Sequence, residues 1–451
     1  MKTAQQPDSG QEQEALTYAE KTQWSSETAF VASMAAAAVG LGNLWRFPYI
    51  MGENGGGAFV VAFLISLVVV VMPIMILEVA AGRLSKGSTV ETYRQVNKFG
   101  AYYGWFVILI TVGITSYYLV ITGWTLGYSV DAVRGDVRRF GEFSAGYNSL
   151  WYFLVICALA GGILLRGVKA IETLSKFLIP ILLMVIIGLV IAASRTSGWE
   201  EATAFFFNVD WTRLQDNRIW AFAFGQAFYT LAIGQGYLVT YGSYIPRKTH
   251  VPRACITVAV VETSVAMLAG FMIFPFVFSL GMQPDEGSEL AFEIMPQVFE
   301  NMAGGGWLAI LFFSLFFMAA FSSCLAGLKV ITSAVAQEMK LSNIKAVGLV
   351  TLAMLVLGLG SALSFTPIEL TIGDTPVLNF VDQLIGGNVL IFSGVAGAAL
   401  FCWFLPPLKI RSVLGTSQRW WEWRIYLVGR YLPFLLLFWI ILSWGAQLLR
   451  G

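Results

Sequence analysis

The sequence predicts an all-α integral membrane protein of eleven spans, the first and sixth broken near their middles. Three observations predict it. Hydrophobic residues make up 57% of the 451 residues and charged residues only 12%, against about 25% charged in a soluble domain. Apolar runs near the ~20 residues that cross hydrocarbon recur along almost the whole chain, among them Phe59–Ala81, Phe177–Ala193 and Ala346–Gly360. Glycines interrupt two such runs, at Gly40-Leu41-Gly42-Asn43 and at Gly234-Gln235-Gly236. Polar and apolar residues alternate too weakly for a membrane β-barrel.

The spans are expected near 28–51, 57–81, 101–130, 149–166, 176–193, 220–244, 254–281, 305–337, 345–362, 378–406 and 429–449. The amphipathic piece Ser288–Met302 is expected to form a helical external loop. Residues 1–20 are polar, so no cleavable signal peptide is expected. The net charge of +1 suggests no nucleic-acid partner. Cys157, Cys255, Cys324 and Cys402 each fall in or beside an apolar span and read as free packing residues. His250 is the single histidine, which weakens a histidine metal site or a nucleophile–histidine pair.

Lys and Arg set the topology. One set of loops holds Arg83, Lys86, Arg94 and Lys98; Arg166, Lys169 and Lys176; Arg247, Lys248 and Arg253; Lys340 and Lys345; and the basic stretch from Lys409 to Arg430. The opposite loops 282–304 and 363–377 contain no Lys or Arg, and the arginines of 131–146 and 194–218 are diluted by acids. The positive-inside rule then predicts a multi-pass protein of the plasma (inner) membrane, with a cytoplasmic N-terminus and an extracytoplasmic C-terminus.

A helix broken within hydrocarbon frees carbonyls and N–H groups, which must meet protein, water or ligand. Free carbonyls and the Asn43 amide oxygen are hard neutral donors suited to Na⁺. Free N–H groups at the start of a half-helix suit a carboxylate. Glycines at a single break read more simply as a helix-packing face. Two breaks five spans apart, with Asn43 and Arg46 beside one of them, favour a central site between inverted repeats. Glu262 stands alone in an apolar span and is a functional candidate by default.

The motifs AVGLGNLWRFPY, ENGGGAF, TSYYL, GQAFYTL and FSSCLAGL resemble those of the neurotransmitter:sodium symporter family, nearest to its bacterial amino-acid branch. The resemblance runs from Trp24 to the end of the chain. Transporters of that family are themselves a standing example of the broken-helix inverted repeat, so the two inferences are not independent. The resemblance implies an inverted-repeat, five-plus-five helix transporter fold. Residues 1–27 would be a cytoplasmic tail and inner latch, 28–193 the first repeat, 194–219 an external loop, 220–406 the second repeat, and 407–451 a cytoplasmic loop and the eleventh span.

Residue by residue, the resemblance implies two Na⁺ sites. The first would use the Ala38 carbonyl, Asn43, Thr230 and the substrate carboxylate, with Glu262 at the position where relatives place an asparagine ligand. The second would use the carbonyls of Ala36, Val39 and Ala319 and the hydroxyls of Ser322 and Ser323, although hydroxyls bonding back to their own helix are the plainer reading. Biogenic-amine members carry an aspartate where Gly40 stands, so the substrate here is expected to bring its own carboxylate. That carboxylate would meet the N–H groups of Leu41 and Gly42 and the Tyr118 hydroxyl; the ammonium would meet carbonyls near Ala38, Tyr229 and Thr230. Ile114, Tyr118, Tyr229, Ala232, Gln235, Ser323 and Gly327 would line the side-chain pocket. Gln235 reads equally as a pocket wall or as a brace for the unwound backbone.

Arg46 and Asp382 would form the outer gate, and Lys21 and Trp24 the inner latch. Gln337 stands where an acid is expected to complete an inner salt bridge, with Glu338 beside it. Glu78 would anchor the broken sixth helix, and Glu262 would serve as counter-charge in place of chloride, so chloride dependence is not expected. Lys329 lies deep in a span without an assigned role.

The function expected is Na⁺-coupled symport of a neutral amino acid by alternating access, with no enzyme activity; neither HExxH nor GxSxG is present. The alternatives are an amino-acid-gated ion channel, or a symporter of another carboxylate-bearing zwitterion. Channels line an open path with repeated selectivity elements, whereas the polar groups here meet at one midpoint. The partners expected are the amino acid and the lipid bilayer; monomer and dimer remain equally open.

Overall fold

The computed structural model describes residues 23–246, 248–284, 290–300, 302, 304–414, 427–431 and 435. The first span is two helices, Glu27–Ala38 and Gly42–Glu53, bent by 57° at the break. The second to fifth are Gly57–Ser85, Gly100–Arg134, Asn148–Leu164 and Val168–Ala193. The sixth is again broken, into Asn217–Thr230 and Tyr237–Ser243. The seventh to tenth are Val251–Ser279, Gly305–Glu338, Asn343–Leu363 and Val377–Phe404. The expected eleventh span lies almost wholly outside the described residues, as do Lys21, Arg247 and part of the loop 288–302. Within that loop, helical turns run from Leu290 to Glu300.

The fifth span starts eight residues before its expected start at 176, and side-chain pairing explains why. Glu172 bonds Lys176 at 2.7 Å and lies 3.6 Å from Lys169, so charges one turn apart neutralise each other and the polar entry stays helical. On the same span Phe177, Met184 and Ile191 are 65%, 65% and 51% exposed. Their seven-residue spacing makes one apolar stripe, as a lipid-facing helix requires. The loop helix Trp199–Phe207 and the short hairpin pairing Thr371 with Pro376 went unanticipated. All four cysteines are buried and none forms a disulfide among the described residues, and His250 caps the seventh span, accepting at Nδ1 from the Arg253 N–H at 3.2 Å.

The core is a bundle in which the long third and eighth spans pack extensively along each other, as do the second span and the two halves of the broken sixth. Small residues let the bundle close. A β-carbon at Gly82 of the second span would lie 2.0 Å from the Val239 carbonyl oxygen, which locks that helix against the Tyr237–Ser243 half of the broken sixth.

Candidate functional site

The two breaks face each other, and neighbouring side chains hold their loosened backbone. After Ala38 the chain turns extended at Val39 (ψ 100°) and re-enters helix as a wide turn over Gly42–Arg46. In the sixth span Ala232, Gly234 and Gly236 have φ of 51°, 76° and 74°; Ala232 is the uncommon non-glycine residue in this left-handed region. Glu78 Oε1 accepts from the Gly234 N–H at 3.1 Å, matching the anchoring role expected of it. Ser393 donates to the Gly234 carbonyl at 2.7 Å, Thr111 to that of Gln235 at 2.7 Å, and Thr89 to that of Gly236 at 3.2 Å. Each carbonyl thus receives the partner that hydrocarbon cannot provide.

At the first break, Asn43 and Glu262 are both fully buried. Asn43 Nδ2 donates to Glu262 Oε2 at 2.5 Å. The Asn43 amide oxygen Oδ1 and the second carboxylate oxygen Glu262 Oε1 have no hydrogen-bond partner among the described residues. Two buried acceptors without donors fit a cation, because an unpaired carboxylate oxygen in a span is costly. Thr230, 1% exposed, faces the same region, and its Oγ1 accepts from Gln226 Nε2 at 3.2 Å.

The serines of the eighth span divide their roles. Ser322 donates back to the Ala319 carbonyl at 3.0 Å, as the plainer reading expected. Ser323 reaches across to the Val39 carbonyl at 3.1 Å. The pair therefore gathers two of the three expected carbonyls, while Ala36 packs among apolar neighbours with Ile179 of the fifth span.

Between the breaks lies a cavity of about 30 Å³, walled by Ala37, Ala38, Gly40, Gly42, Ile114, Tyr118, Tyr229, Ala232, Gln235, Tyr237 and Ser323. The Tyr118 hydroxyl accepts from the Leu41 N–H at 2.9 Å. A β-carbon at Gly40 would lie 2.5 Å from the Tyr118 hydroxyl and 2.6 Å from Ser323 Oγ, and one at Gly42 would strike the Tyr229 ring at 2.5 Å. Neither position has room for a side chain in this conformation. Gly327 is absent from the cavity wall, because the Tyr237 hydroxyl would lie 2.6 Å from its β-carbon and fills that place. Tyr237 was missed by the sequence reading, although it directly follows the second glycine of the break.

The profile of the sodium:neurotransmitter symporter family matches residues 21–139 and 136–443. The chain belongs to this family. It is 32% identical over 402 residues to the uncharacterized sodium-dependent transporter YhdH of Bacillus subtilis, covering 86% of this chain and 88% of that one. It is 29% identical over 420 residues to an uncharacterized sodium-dependent transporter of Haemophilus influenzae, covering 88% and 92%. The crystal structure of MhsT in complex with L-phenylalanine superposes with a TM-score of 0.86 at 31% identity, covering 93% of this chain and 99% of that one. The symporter is therefore a multi-pass, sodium-dependent membrane transporter with an all-α transporter fold, and not an enzyme.

On the side of the symporter's cavity toward Gly42–Glu53, Arg46 and Asp382 form no ion pair among the described residues. Arg46 instead donates to Gln226 Oε1 at 2.7 Å and stacks over Tyr229, 5.0 Å from the ring centroid. Gln226 Nε2 in turn donates to the Gly42 carbonyl at 2.8 Å, so this side chain links Arg46 to both breaks. The sequence signal for it was present: Gln226 precedes Thr230 by four residues and shares its helix face. Arg46 and Asp382 both lie close enough to Tyr49 and Tyr229 to act on them electrostatically.

At the opposite end of the bundle, where the first span begins, Trp24 is 3% exposed. Its indole donates to the Tyr241 carbonyl at 3.1 Å and its N–H to the Tyr244 carbonyl at 3.0 Å. Gln337 accepts from the Ser88 N–H at 2.7 Å, and Glu338 pairs with Arg94. Two other contacts hold the entry of the first span: Ser25 donates to Glu172 from N–H and hydroxyl, and Glu27 pairs with Arg253 at 2.6 Å. Lys329 gains an account here. Its ammonium lies 5.7 Å from the Tyr244 ring centroid, a cation–π contact on the ring that also packs against Trp24.

Proposed function

We propose that this symporter carries a neutral amino acid with Na⁺ by alternating access. The observation that carries the reading is the pair of oxygens Asn43 Oδ1 and Glu262 Oε1, without partners among the described residues and buried near a cavity that also presents the Tyr118 hydroxyl. Acceptors without donors suit a hard cation; an N–H and a hydroxyl beside a helix break suit a carboxylate. In this reading the first Na⁺ meets the Ala38 carbonyl, Asn43, Thr230 and Glu262, and the substrate carboxylate completes its shell. A second Na⁺ meets the carbonyls of Ala36, Val39 and Ala319 with Ser322 and Ser323. The carboxylate takes the N–H groups of Leu41 and Gly42 and the Tyr118 hydroxyl, which would release Leu41 from its present bond. The substrate side chain lies among Ile114, Tyr229, Ala232 and Gln235, with Tyr237 standing where Gly327 was expected.

Glu262 supplies a fixed negative charge, so chloride is not required. Neither cation site is complete without the substrate or the closed gates, which makes occupation and closure interdependent. Arg46 and Asp382 close the outer path around Tyr229, and Trp24 closes the inner one. The protein sits in the inner membrane with its N-terminus in the cytoplasm. An amino-acid substrate is further supported by MhsT, whose structure was solved with L-phenylalanine.

Uptake into proteoliposomes under an imposed Na⁺ gradient, with each of the common amino acids, tests the proposal. Saturable, Na⁺-driven accumulation of a neutral amino acid in gluconate is expected. Flux that neither saturates nor follows the Na⁺ gradient would support a channel and overturn it.

A further inference from the structure

Tyr237 forms the floor of the substrate cavity, standing where a side chain at position 327 would otherwise reach. Gly327 lies four residues after Ser323 on the same face of the eighth span. A β-carbon there would sit 2.6 Å from the Tyr237 hydroxyl and 2.6 Å from Thr115 Oγ1, so the two oxygens converge on one spot. The phenol occupies the depth that the missing side chain at 327 leaves open. Tyr237 is 6% exposed and lines the cavity. Its hydroxyl makes no hydrogen bond among the described residues. Thr115 is 2% exposed, and its Oγ1 has no partner either. Gln235, 5% exposed, faces the same cavity.

A buried hydroxyl without a partner, as at Thr115, is destabilising until something pairs with it, and the Tyr237 phenol and Gln235 amide bring further polar groups to the same cavity. An apolar ligand would seal them away from water and leave them unpaired; a ligand with its own hydroxyl or carboxamide would satisfy them. A site built to pair with a polar group rejects the analogue that lacks it far more strongly than an apolar pocket rejects a polar isostere. The phenol also fills the deep end, so the pairing group must sit close to the amino acid's backbone.

The structure assigns to Tyr237, with Thr115 and Gln235, the selection of a short neutral amino acid bearing a side-chain hydroxyl or carboxamide over its apolar isostere. This assignment rests on the amino-acid symport reading above. The competing structural explanation is that the Tyr237 and Thr115 hydroxyls turn to bond each other and take no part in selection.

Equilibrium binding to the purified full-length transporter separates these, in Na⁺ and in choline, with the isosteric pair threonine and valine and the near-isosteric pair asparagine and leucine. The polar member of each pair is expected to bind about tenfold more tightly or better. Tyr237→Phe removes one oxygen; it should weaken the polar members about tenfold, leave the apolar ones unchanged, and bring the ratio toward one. Thr115→Val should move the ratio in the same direction and serves as the second variant where Tyr237→Phe does not fold. A native ratio at or below one, or a ratio unmoved in both variants, would overturn the assignment while Na⁺-dependent binding of the amino acids kept the symport reading intact. Absence of Na⁺-dependent binding for every amino acid would overturn both.

Discussion

At Asn43 a single amide faces two ways: its nitrogen donates to Glu262, and its oxygen is left without a donor in a fully buried site. If that oxygen binds Na⁺ beside the substrate carboxylate, Asn43→Ala removes one cation ligand and strips Glu262 of its hydrogen bond. Affinity for Na⁺ and for the amino acid should then fall together, each by about tenfold or more. Titration of one ligand at several concentrations of the other checks this, and an unaltered Na⁺ dependence of amino-acid binding would contradict the assignment. Glu262→Gln keeps the shape and removes the charge. Uptake should be impaired in gluconate, or become chloride-dependent if an anion takes the vacated place. Equal, native-level uptake of the variant in chloride and in gluconate would leave Glu262 a structural acid.

Elements meet in this bundle wherever a glycine allows backbone to touch backbone. Gly82 of the second span faces the Val239 carbonyl at a distance no β-carbon can occupy. Gly82→Ala must push the second span away from the Tyr237–Ser243 half of the sixth, at a cost of about 1–3 kcal/mol. Gly348 of the ninth span has nothing within 4 Å of its β-carbon position, so Gly348→Ala should be neutral or slightly stabilising. Thermal unfolding of the two variants in detergent should separate them clearly, and equal melting temperatures would refute the close-contact account. The entry of the first span is held more unevenly. Arg253 is 69% exposed in its pair with Glu27, so that surface pair is worth about 1 kcal/mol at most. Glu172 is 4% exposed and takes both Ser25 donors, so it is the stronger tie between the first and fifth spans.

For the whole molecule, the alternating access proposed above requires one face to release what the opposite face has closed. Trp24, Ser25 and Glu27 reach the sixth, fifth and seventh spans respectively, so inward opening must part all three together. Glu172→Gln weakens one of these ties and should favour the inward-open form. Backbone hydrogen exchange across residues 23–38 should rise several-fold in that variant, while Arg253→Ala changes it little; equal effects would argue that no single tie dominates. Coupling between Na⁺ and amino acid should also be reciprocal: the factor by which Na⁺ strengthens amino-acid binding must equal the factor by which the amino acid strengthens Na⁺ binding. Calorimetric titration in both orders measures the two factors.

Ten of the expected spans and both breaks were readable from the sequence; Asn43 and Glu262 stood out there as polar groups in apolar runs, while Thr230, Ser323 and Tyr118 were singled out only through the family resemblance. Long apolar runs have few physical solutions in a bilayer, and glycine or an acid within such a run demands a reason. Local pattern also marked Glu78, an acid in a span, whose partner proved to be the Gly234 N–H. Only the tertiary structure decided which side chains meet across the bundle. Arg46 bonds Gln226 rather than Asp382, because a guanidinium takes the acceptor that packing brings within reach. Tyr237 replaces Gly327 at the cavity floor, because a space left by one helix is filled by whichever neighbour can reach it. The Ser25–Glu172 and Glu27–Arg253 contacts span 147 and 226 residues of chain. Periodicity carries no information over such separations; it fixes which face a residue lies on, while the pairing of faces is settled by how ten helices fill one volume.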